Sequence, residues 1–133
     1  MHQIDLKTVA RFAMIDITGR VRDLLRKTGF RNGACIVYVP HTTAGVMVNE
    51  NADPDVPADI LSSLDRLVPL NDRYRHREGN AAAHVKSALV GVSQTVPVEE
   101  GDLVLGTWQA LFFCEFDGPR TRKVLVKLLE DKK

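Results

Sequence analysis

The chain has 133 residues, and its 18 lysines and arginines against 17 acidic residues leave a net charge of +1, too little to steer nucleic acid to it. Hydrophobic residues make up 44% and charged residues 26%, which suits one globular domain over residues 1–133 and excludes a disordered chain. No apolar run reaches the roughly 18 to 20 residues of a membrane helix. Asp5 and Lys7 also interrupt the stretch where a signal peptide is apolar, so we expect a cytoplasmic protein that does not bind membranes.

The hydrophobic patterns predict more strands than helices. Ile4 and Leu6 alternate with polar residues, which is the period of a half-buried strand, whereas residues 34–39 are apolar throughout, as in a strand covered on both faces. Asp53-Pro54 is a strong helix start, because an N-cap residue precedes proline at the first helical position. The predicted strands cover residues 2–11, 34–39, 41–50, 93–98, 103–116 and 123–129, and the predicted helices begin at Asp16 or Thr18, Asp53 and Asn80 and end near Gly29, Val68 and Gly91.

The order of these elements, β-α-β-β-α-α-β-β-β, lacks the regular alternation of parallel α/β proteins. We therefore predict an α+β fold, a compact single domain with a largely antiparallel sheet and about three helices. Cys35 and Cys114 each lie in apolar strand-like sequence, which favours buried free thiols over a disulfide.

Three of the four histidines, His41, His76 and His84, lie in polar surroundings at the ends of predicted elements. With an acidic residue such as Glu115 they would supply three neutral imidazoles and a carboxylate, the ligands of a zinc or other divalent metal site with an open position. The spacing supports this only weakly, since no pair of histidines four residues apart is present. The other interpretation is that each imidazole makes ordinary hydrogen bonds at the end of an element.

Two segments have the composition of anion-binding sites. Residues 41–45, His-Thr-Thr-Ala-Gly, offer an imidazole, two hydroxyls and a glycine that lets the backbone approach a ligand, although threonines also suit a strand edge. Arg73, Arg75 and Arg77 would project three guanidiniums to one side of an extended backbone and could clamp a diphosphate. The alternative for these arginines is a solvated loop.

Further polar side chains indicate a pocket. Asn49 and Glu50 follow an apolar strand segment and have no evident role in ending it. Gln109 and Glu115 share the parity of one strand face whose other residues are apolar. An amide and a carboxylate on such a face need partners, so we expect this face to border a pocket.

Three motifs together resemble the YjbQ family, also called the secondary thiamine-phosphate synthase family. They are HTTAGVMVNENADPDV at residues 41–56, the start of the third helix at residues 78–87, and Gly-Thr-Trp-Gln at residues 106–109. The similarity runs through nearly the whole chain. It implies a compact α+β fold, a homotrimer and an active site lined by seven residues: His41, Thr43, Asn49, Glu50, His84, Gln109 and Glu115. His76 also matches a histidine of relatives, but residues 81–83 are alanines where many relatives carry further histidines, which would deplete a metal centre that used them.

The reaction that the resemblance implies couples an aminopyrimidine methyl diphosphate to a thiazole phosphate and releases pyrophosphate. We expect His41, His84 and Glu115 to be catalytic, and we expect the substrate-binding residues to be Thr42, Thr43, Asn49, Glu50, Arg75, Lys86 and Gln109. The expected cofactor is a divalent metal, magnesium with the diphosphate or zinc at His41, His76 and His84, with no organic cofactor. Two other functions stay open: a metal-assisted hydrolase of a small phosphorylated or acyl substrate, and a trimer that binds a small anion without turnover.

Overall fold

The structure, a computed structural model, describes residues 1–132, so Lys133 at the end of the predicted domain lies outside the described residues. The strands are β1 (His2–Lys7), β2 (Ala13–Asp16), β3 (Gly33–Tyr38), β4 (Ala44–Glu50), β5 (Ser93–Glu99), β6 (Asp102–Leu103), β7 (Gln109–Glu115) and β8 (Thr121–Glu130). The helices are α1 (Thr18–Thr28), α2 (Asp55–Leu67) and α3 (Ala81–Val90). The predicted α+β fold with about three helices is therefore confirmed. Within the described chain, no helix combines the length and the apolar character needed to cross a membrane.

Two antiparallel sheets carry the fold, one with the strand order β1-β8-β3-β5-β6 and the other with the order β2-β7-β4. Alternate residues of a strand point to opposite faces, so each sheet turns one apolar face toward the other. The core between the sheets includes Val37 of β3, Val124 of β8 and Phe113 of β7, together with Val21 of α1. The α1 helix therefore closes this core alongside the three-stranded sheet.

The opposite face of the three-stranded sheet packs under α2 and α3. Phe112 and Cys114 of β7 point to this side, where they meet Ala83 of α3 and Leu64 of α2. Strand β7 is thus buried on both of its faces and lies at the centre of the molecule. The order of layers is the five-stranded sheet, the three-stranded sheet together with α1, and then α2 and α3.

The strand boundaries differ from the sequence prediction at three places. Strand β4 begins at Ala44, whereas the predicted strand begins at residue 41. The first predicted strand ends at Lys7, and residues 13–16 form a separate edge strand, β2, that pairs with β7. The predicted strand over residues 103–116 is divided, because residues 104–108 leave the sheet between β6 and β7. A strand that is buried on both faces has no alternation of apolar and polar residues, so its limits are hard to find from hydrophobicity.

Strand β3 is covered on one face only, so the prediction that both faces are covered is wrong. Cys35 and Val37 are buried, whereas Tyr38 on the outer face of the five-stranded sheet is 43% exposed. The prediction of free, buried cysteines is confirmed for both Cys35 and Cys114. Burial raises the pKa of the Cys35 thiol to about 11 and that of Cys114 to about 12.

A close approach of two backbones sets α3 against β4. The N–H of Val46 donates a hydrogen bond of 3.1 Å to the carbonyl of Gly91, just beyond the end of α3. The Ser87 hydroxyl donates to the carbonyl of Ala44 at 2.6 Å. A Cβ on Gly45 would lie only 2.6 Å from the Gly91 oxygen. Glycine at this position therefore allows the helix to pack on the strand, rather than a ligand to approach the backbone.

Candidate functional site

A cavity of about 1000 Å³ opens beside the end of β3, the start of β8 and one side of α3. Its size lies at the upper end of the range for small-molecule sites. Residues 38–43 form one wall. The chemically active side chains among its lining are His41, Thr42, Thr43, Glu78, Asn80, His84, Ser87, Arg120 and Arg122. The structure thus brings together four of the predicted site residues, His41, Thr42, Thr43 and His84, from separate parts of the chain.

A buried ion pair between Glu115 and Arg122 lies next to this cavity. Arg122 donates from Nε to Glu115 Oε2 at 2.8 Å and from Nη2 to Glu115 Oε1, and Nη2 also donates to the Thr43 hydroxyl at 2.9 Å. The Thr8 hydroxyl and the Asp117 N–H donate to the same carboxylate at 2.8 and 2.9 Å. Glu115 is 0% exposed and Arg122 is 5% exposed. Glu115 is therefore held beneath the cavity wall and is not among the residues that line it.

The hydrogen bonds of Glu115 determine its charge. Burial by itself would raise the pKa of this carboxyl, but the bonds from Arg122, from the Asp117 N–H and from Thr8 outweigh it and hold the pKa below the ordinary value. Glu115 is consequently ionised at neutral pH and forms a charge-neutral pair with Arg122. A carboxylate in this state accepts hydrogen bonds and has no proton to donate.

His41 lies on the loop after β3, with one ring nitrogen already in use. Its Nε2 accepts a hydrogen bond of 3.0 Å from the N–H of Lys123 on β8. Burial and the positive charge of Arg122 lower the pKa of His41. The imidazole is therefore neutral near pH 7 and carries its proton on Nδ1, because Nε2 acts as the acceptor.

His84 projects from α3 into the cavity and is backed by a second histidine. The rings of His84 and His76 have centroids 5.1 Å apart and meet edge to face at an interplanar angle of 64°. His76 Nε2 lies 3.9 Å from Glu78 Oε2, too far for a strong hydrogen bond. The two imidazoles are neighbours, whereas His41 is engaged with β8. Among residues 1–132 no three His, Cys, Asp or Glu side chains are grouped so that they could hold a metal ion.

Asn80, predicted as the cap of α3, has a different role in the structure. Its Nδ2 donates to Asp117 Oδ2 at 2.8 Å, and no hydrogen bond caps the helix from this side chain. Arg120 donates to the same Asp117 oxygen at 2.9 Å. Burial would raise the pKa of Asp117, but the bonds from Asn80 and Arg120 hold it below the ordinary value. In the described part of the chain, Asn80 Oδ1 is the one buried side-chain nitrogen or oxygen atom without a hydrogen-bond partner.

Three of the predicted site residues lie far from this cavity. In the pairing of β4 with β7, Ala44 faces Glu115 at the cavity end, and Glu50 faces Gln109 at the other end. The two pairs are six positions apart along the strands, which is about 20 Å at roughly 3.3 Å per residue. Asn49 lies at the same distant end as Glu50 and Gln109. A single chain therefore does not bring Asn49, Glu50 and Gln109 to the imidazoles.

Two predicted substrate-binding residues are also absent from the lining of the cavity, as far as residues 1–132 describe it. Lys86 is 1% exposed, forms an ion pair with Asp65 of α2, and its Nζ lies 4.3 Å from the centroid of the Phe12 ring. Arg75 is exposed, as are Arg73 and Arg77 in the same irregular segment. This matches the solvated-loop interpretation of the three arginines.

Arg122 is the main residue of the site that the sequence prediction missed. The sequence of β8 does indicate this residue. Arg122, Val124 and Val126 are alternate residues and therefore point to the same face of the strand, and the two valines are fully buried. A charged residue in phase with buried valines needs a buried partner. The position of that partner depends on how distant strands pair, and only the fold supplies that information.

The fold and the site together define a single-domain α+β protein of two facing antiparallel sheets, with a ligand-sized cavity lined by imidazole, hydroxyl and guanidinium groups. The chain belongs to the UPF0047 family of YjbQ-like proteins, whose family model matches residues 2–131. The predicted family is thereby confirmed.

Relatives and solved structures extend over nearly the whole chain. UPF0047 protein YugU of Bacillus subtilis is 54% identical over 127 residues, which are 95% of this chain and 96% of that protein. A UPF0047 protein of Methanocaldococcus jannaschii is 46% identical over 132 residues, 99% of this chain and 96% of that protein. The crystal structure of a YjbQ/UPF0047 family protein from Clostridium acetobutylicum is similar with a TM-score of 0.94 at 49% identity, covering 97% of this chain and 100% of that one.

Proposed function

We propose that this protein is a transferase of the thiamine-phosphate synthase type, which couples an aminopyrimidine methyl diphosphate to a thiazole phosphate in the cavity at His41 and His84. The observation that carries the proposal is the convergence of two imidazoles, two threonines and two arginines on one cavity of about 1000 Å³. That volume is sufficient for two small substrates side by side. The motif resemblance supplies the identity of the substrates, and the cavity supplies donors for their phosphoryl oxygens.

In the proposed step, the thiazole nitrogen attacks the methylene carbon that bears the diphosphate. The nitrogen lone pair forms the C–N bond, and the electron pair of the breaking C–O bond leaves with the diphosphate. Negative charge therefore grows on the leaving oxygen, and hydrogen-bond donors placed there lower the barrier. His84 donates a proton or hydrogen bond to this oxygen, while the Nδ1–H of His41 and the hydroxyl of Thr42 orient the phosphoryl groups.

A zinc ion held by His41, His76 and His84 does not fit the donor set of one chain. His41 Nε2 accepts the Lys123 N–H, and the described residues contain no group of three metal-binding side chains. The proposed step accordingly runs through side chains of the protein, and magnesium belongs to the diphosphate substrate rather than to a protein site. Stoichiometric zinc in purified protein would instead favour the metal-assisted hydrolase.

Removal of the His84 imidazole tests the proposal. We expect wild type to form thiamine phosphate from the two half-substrates with magnesium, and His84→Ala to be slower by about 100-fold or more, because a general acid contributes about 10² to 10⁴ in rate. His2→Ala is the matched control, since His2 lies on β1, outside the cavity, and we expect its rate to be that of wild type. Equal rates for wild type and His84→Ala would remove His84 from the mechanism, and absence of product from wild type would overturn the synthase proposal.

We further propose that the protein is a cytoplasmic homotrimer. Apolar side chains at the surface support assembly, since Leu67 at the end of α2 is 75% exposed and Leu89 of α3 is 62% exposed. A small chain gains stability by burying such a surface against neighbours. Sedimentation equilibrium should give three times the mass of the chain, and a monomer whose mass does not change with concentration would contradict the trimer.

A further inference from the structure

Two of the three guanidinium nitrogens of Arg122 are fully engaged inside the protein. Nε donates to Glu115, and Nη2 donates to Glu115 and to both oxygens of Thr43, the hydroxyl at 2.9 Å and the carbonyl at 3.3 Å. Glu115 is held in turn by Thr8 and by the Asp117 N–H. The guanidinium is therefore locked in one position before any ligand arrives.

The third nitrogen, Nη1, makes no hydrogen bond to any residue between 1 and 132. It is not fully buried, because in that range Asn80 Oδ1 is the one buried side-chain nitrogen or oxygen atom without a hydrogen-bond partner. Arg122 lines the cavity, so the small exposed part of its side chain opens there. The two protons of Nη1 are thus free donors at the cavity wall. Thr43 is hydrogen-bonded to the neighbouring Nη2, and the positive charge of Arg122 is close enough to lower the pKa of His41.

We infer that Arg122 is the anchoring residue of an oxyanion subsite that receives a phosphoryl group of the substrate through Nη1. This inference rests on the proposed function, because it names where the substrate's phosphoryl oxygens bind in the same cavity. A guanidinium presents its N–H groups in a fixed plane that matches phosphoryl oxygens, and a locked donor loses little conformational entropy on binding.

The charges around Arg122 indicate how the subsite would bind a phosphoryl group. Glu115 offsets the positive charge of Arg122, and Asp117 offsets that of Arg120 at the cavity wall. The subsite therefore acts through directed hydrogen bonds rather than through excess positive charge. Glu115 is a positioning residue in this arrangement, since it holds Arg122 and does not line the cavity.

Binding of inorganic pyrophosphate tests the subsite without any catalytic step. Calorimetric titration should show binding to wild type and affinity lower by about tenfold or more for Arg122→Lys, which keeps a charge for Glu115 but removes the planar fork. Arg22→Gln is the matched control, because Arg22 pairs with Asp102 away from the cavity, and we expect it to bind as wild type does. Failure of wild type to bind pyrophosphate, or equal affinity in Arg122→Lys, would overturn the inference.

A measurement on wild type avoids the risk that Arg122→Lys fails to fold. The side-chain ¹⁵N resonances of Arg122 should shift on titration with pyrophosphate, while those of Arg22 stay in place. Unchanged Arg122 resonances under saturating pyrophosphate would overturn the inference even with no usable variant.

The two proposals fail in different ways. Arg122-dependent binding of pyrophosphate without thiamine phosphate formation would remove the synthase proposal and support the subsite. Product formation at the same rate and the same KM in Arg122→Lys would support the synthase and overturn the subsite.

Discussion

Replacing Glu115 with alanine is expected to lower the free energy of unfolding by about 3 to 5 kcal/mol, because Arg122 would be left as a buried charge without its partner. Arg122 is only 5% exposed, so water reaches it poorly. The Thr8 hydroxyl and the Asp117 N–H would lose their acceptor at the same time. Denaturant unfolding at pH 7 measures the effect, with Glu99→Gln on the exposed face of β5 as a control expected within about 0.5 kcal/mol of wild type.

The pH dependence of the same variant follows from the lowered pKa of Glu115. A carboxyl whose pKa is lower in the folded state stabilises the protein fully above its unfolded-state pKa, near 4.3. This stabilisation is lost as the pH falls through the folded pKa, where the folded protein also takes up the proton. The difference in stability between wild type and Glu115→Ala should therefore shrink in acid. A difference that is small at pH 7, or that grows on acidification, would contradict a stabilising ion pair.

Glu115 illustrates how far the candidate site could be predicted from the sequence. Its position on an apolar strand face and its place among the residues that the family resemblance implies for the active site both indicate importance. Its partner Arg122 is only seven residues away in the chain, but the two residues belong to different sheets, β7 and β8, and their side chains meet only because the chain crosses from one sheet to the other between them. A hydrophobicity pattern gives the face of each strand and no information on which strands meet.

The residues at the other end of β7 show the same limit more strongly. Gln109 and Glu115 lie on one strand with equal parity, so the sequence placed them on one pocket face. The strand is long enough to separate them by about 20 Å, since each residue adds roughly 3.3 Å. The alternation of residues along a strand therefore predicts to which face a side chain points, but it does not predict which residues that side chain contacts.

The elements themselves were more predictable than their packing. The Asp16 and Asp53 carboxylates each accept a backbone N–H at the start of a helix, from Thr18 and Asp55, both at 2.9 Å, although the residues in the N-cap positions are Ile17 and Pro54. These contacts join residues two apart in the chain, so local sequence is sufficient to predict where the helices begin. The unpredicted β2 depends instead on a distant partner, because the four residues of this edge strand become a strand by pairing with β7.

Lys86 was predicted to bind substrate, and its surroundings give the opposite expectation. Replacement by methionine, which fills a similar volume, should change the free energy of unfolding by less than about 1.5 kcal/mol, because a buried ion pair contributes little compared with a well-packed apolar side chain. Replacement by alanine should lower it by about 3 kcal/mol, since the cavity left beside Phe12 removes the contacts of the long side chain.

Activity separates the two interpretations of Lys86. If the ammonium only joins α3 to Asp65 of α2, Lys86→Met should retain the thiamine-phosphate synthase rate and the pyrophosphate affinity of wild type. Loss of either in a Lys86→Met protein of normal stability would place the ammonium in the site after all. Neither Lys86 nor Asp65 lines the cavity. The Lys86 side chain is 1% exposed and that of Asp65 is 49% exposed, so solvent reaches this ion pair from the α2 side. The buried lysine thus aligns α3, the helix that carries His84.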